Sequence, residues 1–391
     1  MEQWLAQVSK DLKGADFREK LIHNTQGIDV QPVYTEKDLP EFEEDANAEF
    51  LADMDADFAE AVNDQLQQHL TWNITEEWEV SAATDMNALV TSARQRGVVD
   101  LRLRASQDSD WDVIFDGIRK MSSPANIHVD ATGLLDEHAA GHWRERIGFL
   151  GDRDRLIQSI QFDPILFWEQ QGNATGTAAQ YDRLAETFLR ISGHLQDCRL
   201  VKIDTTDLAV SGATAVDQLA HTLHRAALYF DAMEKRNVTL FELTQLCTFR
   251  FGVDTNYFFE IAKLRAFRIL WNNLVKAYDP EMDFVAVPYV HAAISTRSFT
   301  TTDMHSNLLR STTAAMSALL GGADAVSIPP FNTAEPDEQA VRLAANIQNL
   351  LRYESYMDRY RDAANGSYYI ESLTRTFGEQ AWEKFKALHN N

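Results

Sequence analysis

The sequence predicts an α/β fold, a (β/α)8 TIM-type barrel that follows an N-terminal arm of helix and extended chain. From residue 78 to about residue 353, short β-rich runs alternate with helical stretches. Eight such alternations, joined by right-handed crossovers, close most simply into a barrel. A doubly wound open sheet is the competing fold, but it needs a Gly-rich turn after its first strand, and the sequence has none there.

The arm occupies residues 1–77 and opens with a short amphipathic helix. Lys13-Gly14 ends this helix, whose apolar face carries Trp4, Leu5, Val8 and Leu12. Residues 36–60 then hold eleven acidic residues and one basic residue, Lys37. Such a charge run is typical of a solvated surface segment, and we interpret it as an acidic linker.

The barrel is predicted over residues 78–353, and a C-terminal loop and helix over residues 354–391. We expect the eight strands at residues 78–82, 98–104, 125–130, 156–162, 199–205, 247–252, 284–294 and 323–328. The clearest helices between them have apolar residues at helical spacing and cover residues 181–195, 216–230, 256–278 and 308–319. The terminal helix is expected over about residues 373–388.

The charge balance excludes several classes of partner. The chain carries 36 Lys and Arg residues against 59 Asp and Glu residues, a net charge of −23. So negative a surface repels nucleic acid and anionic membrane, and no apolar stretch approaches the length of a membrane span. Two cysteines, Cys198 and Cys247, and no leader at Met1 predict a cytoplasmic protein without disulfides.

Barrel chemistry is expected where the strands end, because loops can surround a substrate there. Lys202 is a candidate nucleophile, since a desolvated lysine on a barrel strand has a lowered pKa. Asp204 lies on the same side of that strand by period two, so the two residues equally fit a structural ion pair. His291, on the seventh predicted strand, is the second candidate for a substrate site.

Two histidine spacings are compatible with metal binding on a helix. His138 and His142 are four residues apart, and His221 and His224 are three apart. Ala139 stands where a zinc protease carries its glutamate, and neither pair has a third ligand in view. We therefore predict no metal site and interpret both pairs as helix surface.

Four ordered motifs in the second half of the chain, and two in the arm, resemble the methylmalonyl-CoA mutase family. The four are Asn256-Tyr-Phe-Phe-Glu-Ile-Ala-Lys-Leu-Arg-Ala266, Asn307-Leu-Leu-Arg-Ser-Thr312, Gly321-Gly-Ala-Asp-Ala325 and Asn365-Gly-Ser-Tyr-Tyr-Ile-Glu-Ser-Leu-Thr374. The arm contributes Lys13-Gly-Ala-Asp-Phe17 and Gly27-Ile-Asp-Val-Gln-Pro-Val-Tyr-Thr35. The similarity is strong over the first forty residues and from about 203 to 374.

The resemblance implies a CoA-threaded barrel whose family isomerises methylmalonyl-CoA and succinyl-CoA through adenosylcobalamin radicals. This sequence departs from the family at the catalytic tyrosine and histidine, where Thr206 and Asp207 stand. A carboxylate cannot donate the hydrogen bond that a phenol or neutral imidazole gives to a thioester carbonyl. The motif Tyr289-Val-His-Ala-Ala293 keeps His291 but lacks the family's arginine and glutamine. We therefore predict no catalytic residue in this chain.

Cobalamin binding is also expected to lie elsewhere. Residues 136–141 match the Asp-x-His-x-x-Gly signature of cobalamin binding, but they open a helix inside the barrel, so we interpret the match as chance. Nothing after the barrel resembles the family's cobalamin domain.

This pattern resembles the small, or beta, subunit of a heterodimeric mutase. The resemblance implies a large catalytic subunit as partner, adenosylcobalamin bound by that partner and no cofactor bound by this chain. Trp4 and Leu5 of the arm are the interface candidates. Two alternatives stay open: an independent barrel enzyme acting on a CoA thioester through Lys202 or His291, and a CoA-binding module without chemistry.

Overall fold

A computed structural model describes most of the chain. The described residues are 2–39, 71–98, 100–105, 111–121, 125–130, 157–170, 172, 176–192, 199–282, 284–333, 335–360 and 362–390. Cys198, His138, His142 and the stretch 136–141 lie outside the described residues, as does most of the acidic linker.

Eight parallel strands form a closed barrel, which confirms the predicted fold class. They follow a two-stranded hairpin of β1 (His23–Thr25) and β2 (Ile28–Val30). The barrel strands are β3 (Asn73–Val80), β4 (Asp100–Ala105), β5 (Asn126–Asp130), β6 (Ile157–Phe162), β7 (Arg199–Asp204), β8 (Cys247–Val253), β9 (Tyr289–Ile294) and β10 (Ala325–Ser327). Each strand pairs with the next in sequence, and β10 closes the ring by pairing with β9 and β3.

Two strands begin five residues away from the predicted start, whereas the other six begin within two residues of it. β3 begins at Asn73 rather than residue 78, because Asn73, Ile74 and Thr75 pair with β10 and close the ring. β9 begins at Tyr289 rather than residue 284. Pro288 precedes it, and a proline has no N–H to give to a neighbouring strand.

Helices surround the barrel and flank it at the chain's two ends. The arm contains α1 (Glu2–Asp11) and α2 (Phe17–Leu21). The remaining helices are α3 (Met86–Gln95), α4 (Trp111–Arg119), α5 (Pro164–Gln170), α6 (Ala178–Ser192), α7 (Thr206–Ser211), α8 (Ala215–Glu234), α9 (Leu240–Leu246), α10 (Tyr257–Tyr278), α11 (Ser306–Leu320), α12 (Glu338–Tyr353) and α13 (Tyr368–His389). In the part of the chain that is described, no helix is both long enough and apolar enough to cross a membrane.

The apolar core lies between the barrel wall and the helices. The side chains that face outward from the strands are mostly apolar, and many are completely buried, as with Leu101, Leu103, Ile127, Val129, Ile203, Phe249, Phe251 and Val290. Phe249 packs against Phe267 and Trp271 of α10, with ring centroids 4.7 and 4.5 Å apart. Cys247 belongs to this core as a buried thiol, and burial raises its pKa.

The terminal helix α13 begins at Tyr368, five residues before the predicted start at 373. It packs across α8 and α10, and the buried Phe377 contacts Phe259 with ring centroids 5.2 Å apart. Ser367 is its N-cap residue, and the carbonyl of Ser367 accepts the first helical bond from Glu371 N at 2.8 Å.

The arm's hairpin is docked on the barrel. Gln26 and Gly27 form its turn with φ of 55° and 82°, the left-handed backbone that such a tight turn requires. Gln26 Oε1 accepts a hydrogen bond from Ala215 N at the start of α8, at 2.9 Å. Ile28 is buried in the main core, so residues 26–28 connect the arm to the barrel.

Candidate functional site

Most inward-facing side chains of the barrel are polar. Successive residues of a strand point to opposite faces, and most positions that alternate with the apolar core are occupied by hydrogen-bonding groups. These are Thr75 and Glu77 on β3, Asp100, Arg102 and Arg104 on β4, Asn126, His128 and Asp130 on β5, Ser159 and Gln161 on β6, Lys202 and Asp204 on β7, Thr248 and Arg250 on β8, His291 on β9 and Ser327 on β10.

These side chains meet one another across the bore. Arg250 Nη2 on β8 donates to Glu77 Oε1 on β3 at 2.5 Å, although two strands lie between them in the ring. Arg102 on β4 donates to Gln161 on β6, and Gln161 Nε2 donates to Thr248 Oγ1 on β8 at 3.1 Å. Contacts between strands that are not neighbours must pass through the interior. The bore is therefore filled by side chains at this level.

Five ionised residues form a continuous chain that we call the bore network: Asp130, Lys202, Asp204, Arg250 and Glu77. Lys202 Nζ lies 2.7 Å from Asp130 Oδ2 and 3.5 Å from Asp204 Oδ2. Arg250 Nη1 then lies 3.0 Å from Asp204 Oδ2, and Nη2 of the same guanidinium reaches Glu77. Each charge in the network thus has an opposite charge beside it.

The pKa values of the three carboxyls agree with this pairing. Burial alone would raise the pKa of Asp130, but Lys202, together with Arg102 and Arg104, outweighs burial and lowers it to about 2. Burial alone would also raise the pKa values of Asp204 and Glu77. Nearby cations, of which Arg250 acts most strongly, instead hold both pKa values well below the ordinary range. The carboxyls are therefore ionised at neutral pH, as a structural ion pair requires.

Lys202 lies between two carboxylates in this network. The residue is 4% exposed, and its Nζ is within ion-pair distance of both Asp130 and Asp204. A Schiff-base nucleophile needs the neutral amine. Of the two interpretations that the sequence left open for Lys202, the geometry fits the ion pair with Asp130 and Asp204.

His291 lies at the end of the same chain of contacts. It is completely buried, and its Nε2 is 3.0 Å from Ser327 Oγ, which donates to Glu77 Oε1 at 2.6 Å. Burial is the largest cause that lowers its pKa well below 6.5, and Arg102 and Arg250 add to the effect. Its Nδ1 has no hydrogen-bond partner in the described part of the chain. His291 is therefore a neutral imidazole inside the bore.

A second buried group, deeper in the bore, has the connectivity of an acyl-transfer triad. His128 Nδ1 is 2.8 Å from Ser159 Oγ, and its Nε2 is 3.0 Å from Asp100 Oδ1. Ser159 is 1% exposed, so no carbonyl can approach its hydroxyl in this conformation. Asp100 is the first residue of β4, whereas barrel chemistry is built at the carboxyl ends of strands. We interpret the group as a structural hydrogen-bond chain.

The structure places Thr206 and Asp207 at the start of α7, directly after β7. Thr206 Oγ1 donates to Asp204 Oδ1 at 2.7 Å, and Thr206 N donates to the same atom at 3.0 Å. Thr206 therefore helps to hold a carboxylate of the bore network. Asp207 is exposed in the first turn of α7, where a negative charge favours the helix dipole.

Asp163, at the carboxyl end of β6, caps α5. Its Oδ1 accepts from Leu166 N at 3.1 Å, and its Oδ2 accepts from Asp204 N at 2.9 Å. Burial is the dominant cause that raises the pKa of Asp163 to about 7, although Arg225 and Lys202 oppose the shift. Asp163 therefore titrates near neutral pH, unlike the three carboxyls of the bore network.

The described residues contain no group of three or more His, Cys, Asp or Glu side chains that could hold a metal ion. His221 and His224 lie on α8 as half-buried residues, and burial lowers the pKa of both. The ring of His224 packs against that of His389 in α13, with centroids 5.7 Å apart. The pair thus contributes to helix packing.

Sequence reasoning missed Glu77, Arg102 and the group around His128. A signal for all of them was present, since polar residues alternate with apolar ones along Asp100-Leu-Arg-Leu-Arg104 and Asn126-Ile-His-Val-Asp130. Alternation usually indicates a strand with one face in water. In a closed barrel the same pattern places the polar face inside, and only the closure of the ring distinguishes the two cases.

Comparison with known proteins agrees with the motifs. A family model described as methylmalonyl-CoA mutase matches residues 103–391. The methylmalonyl-CoA mutase small subunit of Porphyromonas gingivalis is 27% identical over 100% of this chain and 62% of its own length. The small subunit of Propionibacterium freudenreichii subsp. shermanii is 28% identical over 99% of this chain and 61% of its own length.

A relative from Cereibacter sphaeroides, described as methylmalonyl-CoA mutase without a subunit, is 28% identical over 98% of this chain and 57% of its own length. The chain therefore spans less than two thirds of the length of these relatives. The family model covers well over half of the chain, and this match, together with the six motifs and the barrel, shows that the protein belongs to the methylmalonyl-CoA mutase family.

Proposed function

We propose that this chain is the small, non-catalytic subunit of a heterodimeric, adenosylcobalamin-dependent methylmalonyl-CoA mutase. The large subunit then carries out the isomerisation of methylmalonyl-CoA and succinyl-CoA, and the assembly serves propionate metabolism in the cytoplasm. Two relatives that align with 99% or more of this chain are described as small subunits, which supports the proposal.

The observation that carries the proposal is the bore network. A CoA thioester threaded through the barrel would have to displace the Glu77–Arg250 contact, which crosses the bore at 2.5 Å. The Arg250 side chain is 7% exposed and that of Glu77 is 28% exposed, so breaking this pair leaves a buried guanidinium without one of its two carboxylate partners, which is unfavourable. The site therefore favours its own side chains over an incoming thioester.

The same residues do not fit the family's cofactor chemistry. The groups that meet in the bore are ionised carboxylates paired with cations, and the position next to Thr206 carries the exposed Asp207. Asp207 as a carboxylate has no proton to donate, and the Thr206 hydroxyl already donates to Asp204 Oδ1, so neither residue supplies the neutral donor that a thioester carbonyl needs as charge develops on it. We therefore derive no step through adenosylcobalamin in this chain and assign that cofactor to the proposed partner.

The two alternatives are less well supported. An independent enzyme would need Lys202 as a free amine or His291 within reach of a substrate, but Lys202 is held by two carboxylates and His291 is completely buried. A CoA-binding module would need space along the bore axis, which the crossing contacts occupy.

The arm supplies the proposed contact with the large subunit. Trp4 and Leu5 are only half-buried, although Trp4 packs edge-on against Phe17 with ring centroids 5.8 Å apart. None of the described residues of α2 is buried. Partly exposed aromatic and aliphatic side chains on one helix face are typical of an interface that a partner covers.

Co-expression with a family member that contains the catalytic tyrosine and histidine and a cobalamin domain tests the function. We expect a stable one-to-one complex that converts methylmalonyl-CoA. We expect the isolated chain to show no turnover and no binding of adenosylcobalamin by absorbance titration. Turnover by the isolated chain, or its failure to co-purify with any such relative, would overturn the proposal.

The double variant Trp4→Ala, Leu5→Ala tests the interface. We expect it to weaken the complex by about a thousandfold, because two anchor residues that each contribute on the order of 2 kcal/mol together account for about three factors of ten in affinity. Gln3→Ala, Gln7→Ala on the exposed side of α1 is the matched control. Equal affinities for the two double variants, measured by titration calorimetry, would place the interface elsewhere.

A further inference from the structure

The loop between α12 and α13 contains the one Asn-Gly dipeptide in the sequence, Asn365-Gly366. Both residues are exposed. The side chain of Asn365 makes no hydrogen bond to the described residues, whereas its backbone N donates to Asp362 O at 2.9 Å. The side-chain amide is thus free to rotate while the turn around it is held.

Gly366 leaves its own backbone nitrogen open to approach. Its φ is 80°, and no atom lies within 4 Å of the place where a Cβ would be. A residue with a side chain would crowd this nitrogen and would be strained in this conformation.

A carboxylate lies beside the same nitrogen. Gly366 N donates to Glu371 Oε1 at 3.1 Å. Arg265 of α10 fixes that carboxylate, since its Nη2 is 2.9 Å from Glu371 Oε1 and 2.9 Å from Asp362 Oδ2. Glu371 is therefore oriented by a cation from a neighbouring helix and aimed at the N–H group of Gly366.

We propose that Asn365 is a site of spontaneous deamidation in the folded protein and that Glu371 acts as the base. Gly366 N attacks Cγ of Asn365 from a direction perpendicular to the peptide plane of Gly366. The N–H bond lies in that plane, so it can stay hydrogen-bonded to Glu371 during the attack and transfer its proton to that carboxylate. The new N–C bond forms, Glu371 passes the proton on to Nδ2, and the bond between Cγ and Nδ2 breaks so that ammonia leaves. Water then opens the succinimide at either carbonyl and gives aspartate or isoaspartate.

The product changes the way the loop is held on α10. Deamidation adds a carboxylate next to Asp362 and Glu371, which already share Arg265. Isoaspartate also lengthens the backbone by one carbon inside a turn closed by Asn365 N to Asp362 O and Ser367 N to Ala364 O. Both effects weaken the contact between this loop and Arg265. Deamidation at Asn365 therefore loosens the start of α13.

Timed incubation of the purified full-length chain at mildly alkaline pH tests the proposal, with peptide mapping by mass spectrometry as the readout. We expect Asn365 to be converted about tenfold faster in the folded chain than in the urea-unfolded chain, because a positioned base assists only in the fold. We expect Glu371→Gln to remove that advantage, since an amide can accept the N–H bond but not the proton.

Glu379→Gln is the matched control, since Glu379 lies on the same helix and pairs with Arg375 instead. Circular dichroism establishes that both variants are folded before rates are compared. A folded chain that deamidates no faster than the unfolded one would overturn the proposal. So would a Glu371→Gln variant that keeps the wild-type rate.

Discussion

At the scale of single residues, the bore depends on how its buried charges are paired. Lys202 is the central member, because it contacts Asp130 on one side and Asp204 on the other. Removing one partner of a buried pair leaves an uncompensated charge, whereas replacing the whole pair by apolar groups can be neutral. Lys202 is therefore the residue at which the pairing can be tested.

Lys202→Met is expected to lower the free energy of unfolding by roughly 3–5 kcal/mol, since Asp130 would lose its nearest cation in a buried setting. Urea denaturation followed by tryptophan fluorescence measures this change. Lys120→Met, at a side chain that is 70% exposed, is the control and should leave stability almost unchanged. A Lys202→Met protein as stable as wild type would show that the bore network does not stabilise the barrel.

His291 gives the bore a dependence on pH. Its pKa is lowered well below 6.5 in the fold, mainly by burial, so between that value and 6.5 the unfolded chain binds the proton more readily. The contribution of His291 to stability is present above pH 6.5 and is lost as the pH falls below it. Asp163 acts in the opposite direction, because its raised pKa of about 7 makes stability fall as pH rises towards 7.

His291→Gln isolates the first effect, since glutamine can also bond to Ser327 but does not titrate. The free energy of unfolding of wild type should fall more steeply with decreasing pH than that of the variant, by up to about 1.4 kcal/mol per pH unit. Urea titrations between about pH 5 and pH 8 measure both slopes, and this window lies above the lowered carboxyl pKa values. Parallel curves would contradict the assignment of a buried neutral imidazole.

At the scale of elements, the arm divides into a docked part and a free part. The hairpin of β1 and β2 is attached through Gln26 to the start of α8. Helices α1 and α2 lie before this attachment, and their apolar side chains remain half-buried. The position of the hairpin therefore determines where helices α1 and α2 lie relative to the barrel.

Gln26→Ala is expected to loosen the hairpin, because Ala215 N loses its hydrogen-bond acceptor at a helix N-terminus, a change that costs about 1 kcal/mol. The amide of Ala215 should exchange with deuterium about fivefold faster, as measured by hydrogen exchange with mass spectrometry. Gln3→Ala on α1 should leave that amide unchanged. Unaltered exchange in Gln26→Ala would mean that the contact does not hold the hairpin.

The bounds of a helix or strand could be predicted from the sequence where one local signal dominates. Helix α10 was expected over 256–278 and occupies Tyr257–Tyr278, because its apolar residues repeat at helical spacing over six turns. The start of β3 was not predictable, since Asn73 becomes part of a strand only by pairing with Ala325, more than 250 residues away. The early start of α13 likewise depends on Ser367 and the loop that Arg265 holds.

At the scale of the whole molecule, the chain keeps a family's barrel and fills its bore with paired charges. Its net charge of −23 is compatible with a partner protein and opposes nucleic acid. A barrel stabilised by its own side chains does not depend on a ligand for folding. The proposed role, support for a catalytic subunit, needs a closed barrel and an arm that a partner can reach, and the described residues contain a closed barrel and partly exposed arm helices.

The sequence by itself determined the fold class, the order of the elements and the family, because periodicity and motifs are local properties of the chain. It also predicted that Thr206 and Asp207 replace a catalytic pair. Only the tertiary structure showed which side chains Lys202 and His291 contact. Closure of the ring brings Glu77 on the first barrel strand to Arg250 on the sixth. Buried charges must find partners, and which charges meet depends on strand positions that no local pattern encodes.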